Sequence, residues 1–403
     1  HGDAADISPC ELPNGRLAFV STRKGTFVEC QGRAAGLLYT MARDGSDVRL
    51  LSANIDSDHT PRVTNDGRVM FSRWDYGIEK NVFTRHAIWT VNPDGTNFQL
   101  VFGNTIEDPG GMWDSVAIPG RPEILVTFGP HHSHQAGMVG LVWNGNGTEA
   151  PRGTGYRWVT REHPVIGDRT YADGYQDPQP VNEKQFVVSY GGEKHRLRAK
   201  KTDAKVKGRN YSLMAPLALL YLDAYGNERI IYKNPEGLSC FNPLLLRPRE
   251  VPPVVADKVP PVPWKYEDPE GMNRSDAGSE LTATMLVQDV YKGISRHVKR
   301  GEAKYIAVME QVQKSRIMAG GEAWGHTPLI GRGTVHARRL IGLVPIEEDG
   351  SAFFEVPALR SVSLNVLDAD GKTLMRMGSD LHAMPEERLS CIGCHEIREH
   401  GYG

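Results

Sequence analysis

Short apolar runs recur along the first 250 residues, each opened by a turn signal and each too short for a helix that could bury a face. Ser8-Pro9-Cys10-Glu11-Leu12-Pro13-Asn14-Gly15-Arg16-Leu17-Ala18-Phe19-Val20-Ser21 is echoed by Thr60-Pro61-Arg62-Val63-Thr64-Asn65-Asp66-Gly67-Arg68-Val69-Met70-Phe71-Ser72. Weaker echoes lie at 115–129 and 178–192, around Ile124–Phe128 and Gln185–Tyr190. Between them runs a second unit, in which a strand enters an Asp-Gly or similar turn and returns. Its examples are Leu38–Gly45, Ile88–Gly95 and Leu219–Gly226. About four short strands in each period of about fifty residues is the sequence pattern of propeller blades. Four fairly complete blades and a fragment ending near Cys240 are expected. The chain opens inside a repeat, so two completions of the ring fit: an absent amino-terminal blade, or one supplied by another chain.

Val251 to Trp264 reads Val-Pro-Pro-Val-Val-Ala-Asp-Lys-Val-Pro-Pro-Val-Pro-Trp, which is extended, polyproline-like linker chemistry. Strands resume at 283–290, 305–310 and 342–346, Glu347–Pro357 offers a turn and a strand, and strands at 362–368 and 374–377 flank the turn Ala369-Asp370-Gly371. The expected architecture is therefore all-β. A propeller of TolB-type repeats occupies 1–250, a linker 251–264, and a β-sandwich-like domain 265–403 that ends in a short haem-bearing segment.

That segment carries the chemistry. Cys391-Ile392-Gly393-Cys394-His395 has the spacing of a c-type haem attachment motif. Each thiol can add to one vinyl group of the porphyrin, and the adjacent imidazole can then ligate iron. A CxxC redox pair or half a zinc site is the plainer alternative, but there is no second CxxC and no surrounding βαβ pattern. One covalent haem c per chain is expected, with His395 on the iron. So short a segment cannot enclose a porphyrin, which must lie against the sandwich, the propeller, or both. Candidates for the opposite axial position are His382, Met384 and His400, together with the cluster His131, His132 and His134 at the end of a predicted strand. A solvated polar loop would account for that cluster equally well. Zinc or calcium are further ions such a chain could hold; for zinc, Cys240 is a candidate thiolate beside His395.

Composition changes this picture little. The 403 residues are 39% hydrophobic and 24% charged with a formal net charge of −2, which gives no reason to expect a nucleic-acid partner. The basic run from Arg196 to Arg209 is read as a solvated loop, with docking of an acidic partner as the functional alternative. No apolar run reaches membrane-spanning length. The start at His1, with neither methionine nor leader, is read as a processed or trimmed terminus. Haem c is attached outside the bacterial cytoplasm, so the motif implies a periplasmic or otherwise external location. Cys10 and Cys30 could pair there.

Several stretches together resemble a known family. They are Ser8-Pro9-Cys10 before Pro13-Asn14-Gly15-Arg16, Phe71-Ser72-Arg73-Trp74-Asp75-Tyr76, and Phe128-Gly129-Pro130-His131-His132. Ser239–Pro243 with Leu246–Arg249, Val287-Gln288-Asp289-Val290-Tyr291, Glu347–Ala358 and the haem motif with Glu396 complete the set. The chain resembles the α subunit of hydrazine synthase and its relatives along nearly its whole length. The resemblance implies a propeller joined to a haem-binding domain, export, and other cytochrome subunits or redox partners in a homo- or hetero-oligomer. It also implies two haems, and at the catalytic one a tyrosine on iron four residues after the motif histidine, that histidine binding zinc. Here there is a single CxxCH, the fourth residue after His395 is Glu399, and the nearest tyrosine is Tyr402. Electron transfer in a redox complex is the function expected; the alternative is a haem enzyme for small nitrogen compounds with an open iron position.

Overall fold

The computed structural model describes residues 4–28, 33–75, 85–104, 106, 110–129, 135–160, 174–191, 196–197, 213–214, 216–265, 280–314 and 337–394. Among these there are strands and no α-helix. The chain divides into two compact units, His1–Asn104 with Pro252–Gly403, and Thr105–Val251.

In the first unit, β1 (Asp6–Glu11), β2 (Leu17–Ser21), β3 (Leu37–Met41) and β4 (Arg49–Leu50) form one antiparallel blade. The next consists of β5 (Asp58–Val63), β6 (Val69–Asp75), β7 (Arg85–Val91) and β8 (Gln99–Phe102). The second unit holds a blade of β9 (Gly111–Ala117), β10 (Ile124–Gly129), β11 (Met138–Val142) and β12 (Tyr156–Trp158). Its other blade begins with β13 (Tyr175–Pro180) and β14 (Gln185–Tyr190). A small ladder of β15 (Arg196–Leu197) and β16 (Leu213–Met214) follows, and β17 (Ala218–Asp223) and β18 (Glu228–Tyr232) complete the blade. The described residues thus contain the four blades the repeat predicts.

Each first strand carries a bulge at the same place in the repeat. The two residues skipped by the ladder are Ser8-Pro9, Thr60-Pro61, Asp114-Ser115 and Asp177-Pro178. The first of each pair has positive φ, between 46° and 54°. A proline costs no ladder hydrogen bond at a bulge, so the Ser/Thr-Pro echo in the sequence is the trace of this backbone feature.

Alternation explains how the first blade is covered on both faces. Ala18, Val20 and Leu38 meet Val69, Phe71, Ala87 and Trp89 of the second blade, whereas Phe19, Leu37 and Tyr39 point the other way. That second face is covered by Val259, Trp264, Leu359 and Met384. The proline-rich stretch is therefore not a free spacer. Lys258 N donates to Asp94 Oδ2 (2.6 Å), Trp264 N donates to Val48 O (2.7 Å), and the Trp264 ring meets Tyr39 edge-on at 5.2 Å.

The remainder of the first unit is a sandwich. One sheet has the order β22-β19-β25, built from β19 (Thr282–Val287), β22 (Ala352–Pro357) and β25 (Arg388–Cys391). The other runs β21-β20-β23-β24, from β20 (Tyr305–Gln311), β21 (Arg338–Pro345), β23 (Val362–Leu367) and β24 (Thr373–Arg376). Ala283, Met285 and Val287 share one core with Ile306, Val308, Phe354 and Val366. The strand expected over 283–290 ends at Val287. Beyond it Ser295 N and Val298 N close turns on Tyr291 O and Ile294 O, because Val290, Tyr291, Ile294 and Val298 are all buried in that core.

Candidate functional site

Strand β25 lies parallel to β19, with Cys391 opposite Val287. The pairing continues past the strand: Gln288 N donates to Cys391 O (2.9 Å) and Asp289 N to Ile392 O (3.2 Å). At Gly393 the chain passes so close to the 289–292 loop that a Cβ would lie 2.5 Å from Lys292 Cβ and 2.8 Å from Asp289 O. Only glycine fits there. Cys391 and Cys394 are half-buried, and both pack against the sandwich core that includes Met285, Val287, Val290, Tyr291 and Ile294, so the two residues share one apolar wall.

The loop behind the motif is held by charge and by an aromatic ring. Asp289 Oδ2 pairs with Arg300 Nη2 at 2.6 Å, Arg300 Nη1 donates to Asp349 O at 2.8 Å, and the guanidinium lies 4.7 Å from the Tyr291 ring centroid. Tyr291 Oη accepts from Gly301 N (2.7 Å) and reaches Ala303 O (3.3 Å). Gly393→Ala is expected to cost about 1–3 kcal/mol, because backbone rather than a flexible side chain must yield. Chemical denaturation of the variant against the parent measures this; an unchanged midpoint would contradict the close approach.

Residues 379–387 lead directly into β25 and tie it to the first two blades. Ser379 Oγ donates to Asp75 Oδ2 (3.0 Å), and Asp380 Oδ1 lies 2.5 Å from Arg73 Nη2. His382 Nε2 contacts Leu51 O at 3.2 Å, and its ring lies 4.3 Å from that of Phe98. A Cβ on Gly95 would sit 2.6 Å from Met384 Sδ, and Asn97 N donates to Glu387 Oε1 at 2.7 Å. The neighbours in alternation face the sandwich: Leu381 N donates to Val362 O, and Ala383 is buried in the sandwich core.

Arg73 is the centre of these contacts. It is fully buried, its Nε binds Asp75 Oδ1 at 2.9 Å, and its guanidinium is flanked by Trp89 (5.0 Å) and Phe98 (4.8 Å). Asp58, also fully buried, accepts from Ser52 Oγ (2.5 Å) and Asn54 Nδ2 (3.1 Å). Burial pushes Asp58 up to about 7, against the pull of Arg73, and raises Asp75 as well. Burial first, then Arg73, pushes His382 down to about 3, so its imidazole is neutral.

Of the residues singled out by sequence, Cys391 and Cys394 are both half-buried against the sandwich core. His395, His400, Glu399, Tyr402, the cluster His131, His132 and His134, and Cys30 lie outside the described residues. His382 and Met384 are occupied with the blades, on the side of their segment away from Ala383 and the sandwich core. Cys10 is half-buried on β1, and in the second unit Cys240 N donates to Leu217 O at 2.8 Å. No group of three or more His, Cys, Asp or Glu placed to hold a metal ion occurs among the described residues. Sequence reasoning passed over Arg73, Asp58, Asp75 and Asp380. The available signal was Arg73 and Asp75 inside the run Val69–Asp75, an apolar strand in which a charge must be paired.

Comparison with known proteins agrees with this architecture. Residues 301–396 match the family model of the hydrazine synthase alpha subunit middle domain. A hydrazine synthase chain from Kuenenia stuttgartiensis shares the fold with a TM-score of 0.63 and 16% identity, over 94% of this chain and 52% of that one. This protein therefore spans about half the length of that synthase chain. A putative TolB from Agrobacterium tumefaciens (TM-score 0.26, 16% identity, 34% and 45% covered) and TolB from Acinetobacter baumannii (0.33, 12%, 58% and 55%) are more distant. No curated protein matches. The likeness to the hydrazine synthase alpha subunit middle domain thus lies on residues 301–396, and the fold of the synthase chain runs along nearly all of this one.

Proposed function

We propose that the protein is a c-type cytochrome with one haem bound through Cys391 and Cys394, acting in electron transfer within a redox complex. The observation that carries this is the pair of half-buried thiols on one apolar wall, at attachment spacing and with a backbone-tight glycine between them. Such a wall is what a covalently tethered porphyrin needs beneath it. His395 is the iron ligand in this reading, and the bound group would supply a one-electron redox centre. The chain's own part is to hold the two thiols in register through Gln288 and Asp289 and to keep water from one side of the site. Haem attachment of this type places the protein outside the cytoplasm, with other cytochrome subunits or redox carriers as its partners.

The intact mass of the purified protein should exceed the polypeptide by one haem, and Cys391→Ser with Cys394→Ser should remove the addition. A parent mass equal to the bare chain would falsify the reading. The family match supports a second reading, an enzyme for small nitrogen compounds with an open iron position. Carbon monoxide separates the two: an unchanged spectrum of the reduced protein marks the carrier, and a ready shift marks the enzyme.

A further inference from the structure

The 379–387 segment lies between two bodies and is bound to each in alternation. Leu381 and Ala383 belong to the sandwich, while Ser379, Asp380, His382 and Met384 belong to the blades. Only three residues separate Glu387 from Cys391, and the strand between them is paired to β19. The segment thus runs directly into the strand that carries Cys391. The link to the blades is an uneven charge cluster, with Asp58, Asp75 and Asp380 arranged around Arg73. Three buried carboxylates around one guanidinium cannot all ionise without a net negative charge in a dry interior.

We infer that Arg73, balanced by Asp58, Asp75 and Asp380, is a positioning residue that locks segment 379–387 to the first two blades and thereby sets the Cys391–Cys394 pair against its wall. Asp380 is the arm on the segment and Asp75 the arm on β6, while the charge of Asp58 also acts on Arg73. His382 from the segment itself faces Arg73, Lys24 from the β2–β3 connection acts on His382, and Ser52 and Asn54 donate to Asp58 ahead of β5. The direction of its pH response follows. Asp58 in the folded protein binds its proton up to about pH 7, whereas in the unfolded chain it releases it near its ordinary value of 3.8. The folded state holds the extra proton between those limits, so the lock is tightest at the acid end and loosens as pH rises through about 7.

Hydrogen–deuterium exchange on the full chain tests this, after correction for the intrinsic pH dependence of exchange. Peptides covering 379–391 are followed at pH 6 and pH 8, with 305–311 of β20 as the internal reference. In the parent, protection of 379–391 should fall severalfold from pH 6 to pH 8 while the reference is unchanged. Asp58→Asn, which mimics the protonated carboxyl, should keep the pH 6 protection at pH 8. Asp380→Asn should speed exchange in 379–391 about tenfold at both pH values. Equal protection of the parent at the two pH values, or a pH response that survives Asp58→Asn, overturns the lock. So does loss of protection in Asp380→Asn that is as large in 305–311 as in 379–391, since that would mark a merely structural role. The haem reading supplies only the purpose of the positioning, and its failure is separate: a parent of bare mass removes that reading, whereas the exchange result alone decides the lock.

Discussion

Replacing Arg73 with methionine is expected to remove about 3–5 kcal/mol of stability, the usual cost of taking one partner from a buried ion pair. The guanidinium is fully buried, reaches two carboxylates at 2.9 and 2.5 Å, and lies between two aromatic rings. Methionine keeps much of the volume and the contact with Trp89 and Phe98, so the loss reports charge rather than a void. Asp75 and Asp380 would be left as buried carboxylates without a cation. Asp75, already raised by burial, can then be relieved only by taking up a proton, and the penalty should shrink as pH falls towards 5. Urea denaturation of parent and variant at pH 5 and pH 8 checks both parts. A loss below about 1 kcal/mol at pH 8, or one that grows on acidification, would show that Arg73 is not the cation these carboxylates depend on.

The parent should also show an acid limit of its own. His382 stays neutral in the folded protein down to about 3, whereas the unfolded chain binds its proton near 6.5, so acidification between those limits favours unfolding. That loss opposes the gain from Asp58. Its expected signature is a decline in stability between about pH 6 and pH 3 that His382→Gln makes shallower. A decline equally steep in His382→Gln would place the acid sensitivity elsewhere.

How much of this was legible beforehand depends on the range of the interaction. The blades were legible because alternation and turn chemistry are local: Asn14-Gly15, Asp66-Gly67, Asp44-Gly45 and Asp94-Gly95 all place glycine at positive φ at the turns they predict. The CxxCH spacing was legible as a candidate attachment motif because the spacing itself carries the chemistry. Gly393 was visible only as a residue between two cysteines; its necessity comes from the 289–292 loop, a hundred residues earlier in the chain. The docking of 252–264 on the first blade was not legible. Proline-rich sequence reads as a spacer, and nothing local says that Val259 and Trp264 will meet Phe19, Leu37 and Tyr39. The charge cluster had a trace in Arg73 and Asp75, but its third member, Asp380, lies more than three hundred residues away. Pairing at that distance is set by the fold and leaves no periodic signature.

The same long-range packing carries the last prediction. Residues 252–403, expressed alone, are expected not to form a cooperative domain, although the sandwich has a core of its own. Without residues 1–104 the fragment exposes Trp264, Val259, Leu359 and Met384, and it strands Asp380, Ser379, His382, Glu387 and Lys258 without their partners on the blades. Burial of the Trp264 ring alone is worth about 4–6 kcal/mol by area, as an upper figure. Met384 adds about 1.5–3 kcal/mol. Together these approach the whole net stability of an ordinary domain, about 5–15 kcal/mol. Joining 1–104 to 252–403 through a flexible linker in place of 105–251 should restore a cooperative transition, because the first compact unit is then complete. Calorimetry and dye binding on the two proteins give the readout. A sharp unfolding transition in the isolated 252–403 fragment, with no dye binding, would mean that the blades are dispensable to the sandwich. It would also mean that the thiol pair at Cys391 and Cys394 owes its setting to the sandwich alone.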